Sequence, residues 1–174
     1  MASVVLVTGG ARSGKSMFAL QNALERPGPR VFIATAVACD DEMRRRIENH
    51  RRERTGQFLT VEAPYLLAEA VTTLPGETTV ACIDCLTVWL GNLLFRFEAE
   101  PFRIEQEIDA FIAVLETAPC DLVIVTNEVG YGIVPENAMA RRFRDDAGAL
   151  NRRVAQIAQK VYLCVCGIPV NVKE

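Results

Sequence analysis

A chain of 174 residues, half of them hydrophobic, has the length of one ordinary domain and enough apolar material for a sizeable core. Its net charge of -3 excludes a protein that coats nucleic acid or an anionic membrane. No apolar run is long enough for a membrane span, "MASVVLVTGG" lacks the features of a secretory leader, and six cysteines in apolar contexts such as "VACIDCL" and "VYLCVCG" suit reduced thiols in a cytoplasm.

In chain order, short apolar runs alternate with helical patterns. Ser3–Thr8 reads as a strand and Lys15–Glu25 as a helix. Arg30–Thr35 is a strand and Asp41–Arg54 a helix. Phe58–Val61 is a weaker strand, followed by a helix over Pro64–Leu74. Thr79–Asp84 is a strong strand, followed by the apolar helix Thr87–Phe97. Phe102–Glu116 carries Ile104, Ile108, Phe111, Ile112 and Leu115 on one side of a helix. Leu122–Thr126 is an uninterrupted apolar strand. Glu136–Lys160 is a long helix striped by Met139, Phe143, Leu150, Val154 and Ile157. Val161–Val165 is a strand, and "GIP" turns the chain into a short last strand over Val170–Val172. The strand runs are continuous rather than alternating, as expected for a parallel sheet covered on both faces. The expectation is one α/β three-layer domain, P-loop NTPase-like, with a mostly parallel sheet and a short antiparallel C-terminal strand.

"GGARSGKS", Gly9 to Ser16, fits G-x-x-x-x-G-K-[ST] between a strand and a helix. Backbone N–H groups of Thr8, Gly9, Gly10, Ala11, Arg12, Ser13 and Gly14 can curl around phosphates. Lys15 reaches the β- and γ-phosphates, and the Ser16 hydroxyl can hold Mg²⁺. The N-terminus of the helix adds its partial positive charge. An acid that ends a hydrophobic strand should complete the metal site. Asp84 is preferred, and Glu128 is the alternative. Ligands bind outside the carboxyl ends of parallel strands, so both belong at the P-loop edge. The C-x-x-C of Cys82 and Cys85 and the C-x-C of Cys164 and Cys166 are better read as strand residues than as zinc ligands, because neighbouring side chains on a strand alternate faces.

"EMRRRIENHRRERTG" contains the single histidine, His50, among Arg44, Arg45, Arg46, Arg51, Arg52 and Arg54. Asp40 can cap this helix, with Asp41 and Glu42 in its first turn. His50 continues the stripe of Met43 and Ile47. Nearby cations disfavour imidazolium and keep the ring neutral. A neutral imidazole beside an α-phosphate can attack it, while the arginines stabilise the phosphoryl oxygens and the leaving pyrophosphate. On the long helix, Arg141, Arg144, Asp145 and Asn151 are polar candidates for substrate or interface contact, together with Asn127 and Glu128. Gly148 interrupts that helix, which suggests close approach of another backbone or a ligand.

With these motifs assembled, the chain resembles the bifunctional adenosylcobinamide kinase/adenosylcobinamide-phosphate guanylyltransferase family of cobalamin biosynthesis. The matching stretches are "VLVTGGARSGKS", "FIATAVACDDEMRRRIENHRRER", "DCLTVWLGNLLF", "VIVTNEVGYGIVPENAMARRFRDDAGALN" and "VYLCVCGIPVNVK", in family order over nearly the whole chain. The resemblance implies γ-phosphoryl transfer from ATP or GTP to adenosylcobinamide. It also implies GMP transfer from GTP to adenosylcobinamide phosphate through a GMP-histidine, here His50, giving adenosylcobinamide-GDP. It implies nucleotide contacts at the P-loop, at Ala34, Thr35 and Ala36, at Arg51, Arg52, Glu53 and Arg54, and at Glu62 and Asp84. It further implies a homo-oligomer, a trimer. Two other classes fit the P-loop alone: a small-molecule kinase with no covalent intermediate, and a non-enzymatic nucleotide-dependent assembly module.

Overall fold

The structure is a computed structural model that describes residues 2–38, 41, 44, 45, 48, 51, 52, 54 and 56–173. Along the chain run β1 (Val4–Gly9), α1 (Lys15–Leu24), β2 (Arg30–Ala34), β3 (Leu59–Glu62), α2 (Leu67–Thr72), β4 (Val80–Asp84) and α3 (Leu86–Arg96). There follow α4 (Pro101–Glu116), β5 (Asp121–Val125), α5 (Ala138–Ile157), β6 (Lys160–Val165) and β7 (Ile168–Lys173). Between β2 and β3, Asp41, Arg44, Arg45, Glu48, Arg51 and Arg52 are helical and exposed. The expected helix over Asp41–Arg54 falls partly outside the described residues, as do Asp40, Glu42, Met43, Arg46, Ile47, His50 and Glu53.

The strands form one seven-stranded sheet in the order β3-β2-β4-β5-β1-β6-β7. Every pairing is parallel except that of β6 with β7. The continuous apolar runs are explained by the two cores. On β1, Val4 and Leu6 enter one core while Val5 and Val7 enter the other. β4 divides in the same way, Ala81 and Ile83 against Val80 and Cys82. The larger core lies under α2, α3, α4 and α5 and is centred on fully buried Trp89, Phe111, Leu90 and Leu93. Trp89 meets Phe111 at 5.3 Å between ring centroids, and its indole N–H donates to the Tyr65 carbonyl at 2.7 Å. That bond removes the cost of burying a polar group inside an apolar side chain. The second core is covered by Ala19 and Ala23 of α1. A leucine-to-alanine change in the larger core, at Leu90 or Leu93 for example, costs roughly 2–5 kcal/mol.

Element ends differ from expectation where local chemistry decides them. α4 starts at Pro101 rather than Phe102, because proline is tolerated in the first turn of a helix. α5 starts at Ala138 rather than Glu136, since the Asn137 side chain caps it by accepting from the Ala140 N–H at 3.0 Å. The last turn is Cys166-Gly167, not "GIP": φ is 53° at Cys166 and 81° at Gly167, a sign pattern matching a two-residue hairpin. Pro169 therefore sits on β7, paired with Cys164, and the last strand has six residues. Proline is tolerated there because β7 is an edge strand.

Candidate functional site

The parallel register sets the carboxyl ends of five strands along one edge. Glu62 pairs with Ala34, Ala34 with Asp84, and Asp84 with Val125. Val125 pairs with Val7, just before the P-loop. At about 4.8 Å per strand, this row spans roughly 19 Å from β3 to β1. Strand geometry thus collects the P-loop, Ala34–Ala36, Glu62, Asp84, Asn127 and Glu128 at one edge, where the strand pattern had placed Asp84 and Glu128.

The phosphate loop is shaped by two glycines. A methyl group at Gly9 would lie 2.6 Å from the Cys164 carbonyl oxygen and from the Ser13 hydroxyl. Gly14 has φ of 88°, and a methyl there would come within 3.0 Å of the Gly167 Cα; a side chain is disfavoured twice. The Gly167 N–H donates to the Ser13 carbonyl at 3.0 Å, so the β6–β7 turn braces the loop from beneath. Sequence reading missed this brace, because its two halves lie more than a hundred residues apart. The Ser13 hydroxyl is buried without a hydrogen-bond partner. Gly10, Ala11, Arg12 and Gly14 are exposed and present the outer rim of the loop.

A P-loop lysine is expected to face solvent until a nucleotide arrives. Lys15 instead is 8% exposed, and its ammonium donates to the Gly10 carbonyl at 3.1 Å. An isolated cation inside the loop would be costly, and the Gly10 carbonyl gives it an acceptor. Phosphate oxygens would replace that carbonyl with a stronger, charge-assisted partner.

Ser16 is half-buried in the first turn of α1, with its hydroxyl making no hydrogen bond among the described residues. Asp84 is half-buried at the end of β4. Among the described residues no group of three histidine, cysteine or acidic side chains converges as a metal cage. One hydroxyl and one carboxylate at the P-loop edge form a sparse set of hard oxygen donors. That set fits Mg²⁺, which keeps waters and takes phosphate oxygens rather than a full protein cage.

Several candidates turn out to position the site rather than to line it. Thr35 is fully buried. Its hydroxyl donates to the Cys85 carbonyl at 2.9 Å and accepts from the Cys85 N–H at 2.8 Å. Its N–H reaches the Asp84 carbonyl, and its carbonyl accepts from Asn92 at 2.7 Å. Thr35 therefore clamps the ends of β2 and β4, leaving half-buried Ala34 and Ala36 beside it. Arg54 is 7% exposed, and its guanidinium lies 3.6 Å from the Phe32 ring centroid. It anchors the arginine-rich segment to β2 instead of fanning into solvent, whereas Arg51 and Arg52 are exposed. Exposed Glu62 borders an open groove of about 330 Å³ that also takes in Tyr65, Leu66 and Glu69.

The α5 candidates divide similarly. Asn151 is 9% exposed; it accepts from the Thr126 hydroxyl at 2.7 Å and donates to the Asn127 carbonyl at 3.1 Å. It is thus a buried tie to the end of β5 and not a free surface group. Arg141 donates to the Pro135 and Glu136 carbonyls at 2.9 and 2.6 Å, fastening its own loop. Arg144 lies 3.7 Å from exposed Asp145. Met139, expected on the buried stripe, is 60% exposed. Nothing lies within 4 Å of a methyl group built at Gly148, so the close approach expected there is not made within this chain. Asn127 donates to the Thr87 hydroxyl at 2.6 Å, while Glu128 accepts from the Thr8 hydroxyl at 3.0 Å.

Cys82 and Cys164 pack in the second core with Cys85. Burial, reinforced by the Asp84 charge, raises the thiol pKa of Cys82 and Cys85. Burial also raises that of Cys164, which Lys15 partly offsets. Protonated, buried thiols are poor metal ligands and poor nucleophiles.

A strand–glycine loop–helix cradle, a lysine inside it and a strand-end carboxylate on a doubly covered parallel sheet define a nucleotide-binding protein of the P-loop α/β class. Solved structures share the fold. The RadB recombinase aligns with a TM-score of 0.52 at 14% identity over 92% of this chain and 73% of its own. A Pyrococcus horikoshii OT3 protein, PH0250, aligns with a TM-score of 0.56 at 8% identity over 99% of this chain and 86% of its own. Sequence similarity is more specific. The family profile "Cobinamide kinase / cobinamide phosphate guanyltransferase" matches residues 5–172, and the chain belongs to that family. It is 42% identical to the bifunctional adenosylcobalamin biosynthesis protein CobU of Salmonella typhimurium, over 98% of this chain and 99% of the relative. Identity to the Escherichia coli CobU is also 42%, with the same coverage. Identity to the CobP of Pseudomonas aeruginosa is 39%, over 97% of this chain and 96% of the relative.

Proposed function

We propose that this chain phosphorylates adenosylcobinamide with ATP or GTP and then transfers GMP from GTP to the resulting phosphate, giving adenosylcobinamide-GDP. The observation that carries this reading is the family match across residues 5–172 on a chain with an intact phosphate cradle. In the kinase step, P-loop N–H groups hold the phosphates. Lys15 leaves the Gly10 carbonyl for the β- and γ-phosphates and stabilises the charge that develops on transfer. In the guanylyl step, the neutral His50 imidazole attacks the α-phosphorus and releases pyrophosphate. A phosphate oxygen of the second substrate then attacks the histidine-bound phosphorus and frees the ring. His50 lies outside the described residues; its role rests on the sequence. Arg54 supports that role by anchoring its segment to β2, the strand that ends at Ala34. Mg²⁺, held by Ser16 and Asp84, would neutralise phosphate charge.

The test uses α-labelled GTP and Mg²⁺, followed by denaturation. The wild-type chain should carry an acid-labile, alkali-stable label that EDTA prevents. His50→Asn should lose the label and guanylyl transfer while retaining at least part of the kinase reaction. A label that persists in His50→Asn, or GMP transfer at the wild-type rate without one, overturns the assignment. We also propose a cytoplasmic setting, supported by cysteines that pack as apolar side chains in the cores. We further propose that copies associate as a homo-oligomer through the open α5 surface around Gly148.

A further inference from the structure

Phosphoryl transfer to an alcohol and guanylyl transfer to a phosphate make different demands on a proton acceptor. An alcohol must lose its proton as the new O–P bond forms, whereas a phosphate nucleophile is already ionised at neutral pH. One chain performing both reactions therefore needs a base for the first step alone. The P-loop offers none: its side chains are hydroxyls and cations.

Glu128 meets the requirement. It follows β5, the strand between β1 and β4, so it lies between the phosphate loop and the Asp84 strand. Its backbone N–H donates to the Gly9 carbonyl at 3.1 Å, fixing it against the first glycine of the loop. The buried Thr8 hydroxyl donates to its Oε1 at 3.0 Å. That bond orients the carboxylate and leaves Oε2 for another partner. The chain then emerges as an exposed apolar run, with Tyr131 82%, Ile133 96% and Val134 58% exposed. Glu128 thus stands where the polar phosphate cradle meets an exposed apolar surface, a side from which a large acceptor can approach.

Resting on the kinase reading above, we propose that Glu128 is the general base of the phosphoryl-transfer step. The acceptor's hydroxyl proton passes to Oε2 as its oxygen bonds to the γ-phosphorus. The bond from the γ-phosphorus to the β-phosphate oxygen breaks, and the nucleoside diphosphate departs with that electron pair. The proton on Glu128 then returns to water. Guanylyl transfer bypasses this residue.

The experiment compares wild type and Glu128→Gln in two assays: phosphorylation of adenosylcobinamide, and GMP transfer to pre-formed adenosylcobinamide phosphate. Glutamine keeps an oxygen acceptor for Thr8 and removes only the base. Kinase kcat should fall on the order of 100-fold or more, while guanylyl transfer stays within about threefold of wild type. Glu128→Asp, one methylene short, should restore part of the kinase rate. Equal losses in both assays, with a raised Mg²⁺ requirement, would make Glu128 a metal ligand and overturn the proposal. An unaltered kinase rate would overturn it as well. If wild type lacks kinase activity in the same assay, the underlying functional reading fails instead, so the two failures are distinguishable.

Discussion

Lys15 illustrates how a single residue serves two states of the loop. Its ammonium, on a side chain that is largely buried, is held by the Gly10 carbonyl at 3.1 Å. Lys15→Ala removes that bond and the cation; because Gly10 is exposed, its carbonyl can bond water instead, and folding stability should change by no more than about 1 kcal/mol. Its larger effect falls on binding, because Lys15 is the cation that the loop presents to the β- and γ-phosphates. Calorimetric titration with GTP and Mg²⁺ should show affinity falling beyond detection while circular dichroism retains the helical signal. Unchanged affinity would mean that the P-loop does not bind nucleotide. At this scale the sequence was legible where the chemistry is contiguous, as in "GGARSGKS" and the strand-end Asp84. It was not legible where a partner is distant. Nothing in "IATA" indicates that the Thr35 hydroxyl is spent on Cys85, fifty positions away. Nor does "HRRER" indicate that the last of its arginines stacks on Phe32.

At the scale of elements, α5 shows how an amphipathic stripe positions a site. Its apolar spacing correctly placed Leu150 and Val154 in the core, but Met139, in the first turn, is exposed. Asn151 looked like a surface polar residue because its type is usually exposed. It is buried because the end of β5 presents two polar groups, the Thr126 hydroxyl and the Asn127 carbonyl, that need partners in the core. Asn151→Ala should leave both unsatisfied and cost about 1–3 kcal/mol. Since Asn127 also holds Thr87 and precedes Glu128, kinase activity should fall by more than the lost stability explains. Urea unfolding alongside the kinase assay measures both quantities. A fully stable, fully active Asn151→Ala would show that α5 does not position the β5 edge.

At the scale of the whole molecule, the parallel sheet and its two covered faces were readable from uninterrupted strands such as "VIVT", because burial on both faces removes the alternation of polar residues. Strand order was less legible, since register depends on contacts between runs distant in sequence. One consequence of burying cysteine in both cores can be measured. Burial and neighbouring Asp121 push the Cys120 thiol up to about 11, and Cys82, Cys85 and Cys164 are also raised. In the unfolded chain a thiol ionises near pH ~8.5. Below that value both states keep the proton, and these thiols make no difference to the pH dependence. Above it the unfolded chain releases protons that the folded chain retains, so stability falls as pH rises toward the folded pKa. Each such thiol contributes up to about 1.4 kcal/mol per pH unit within its window. The urea midpoint should therefore decline from about pH 9 upward. Cys120→Ala should reduce the steepness of that decline between about pH 9 and 11, though it lowers stability at neutral pH through the lost packing. Parallel curves for wild type and Cys120→Ala across that range would show that the Cys120 thiol does not keep its proton in the folded chain.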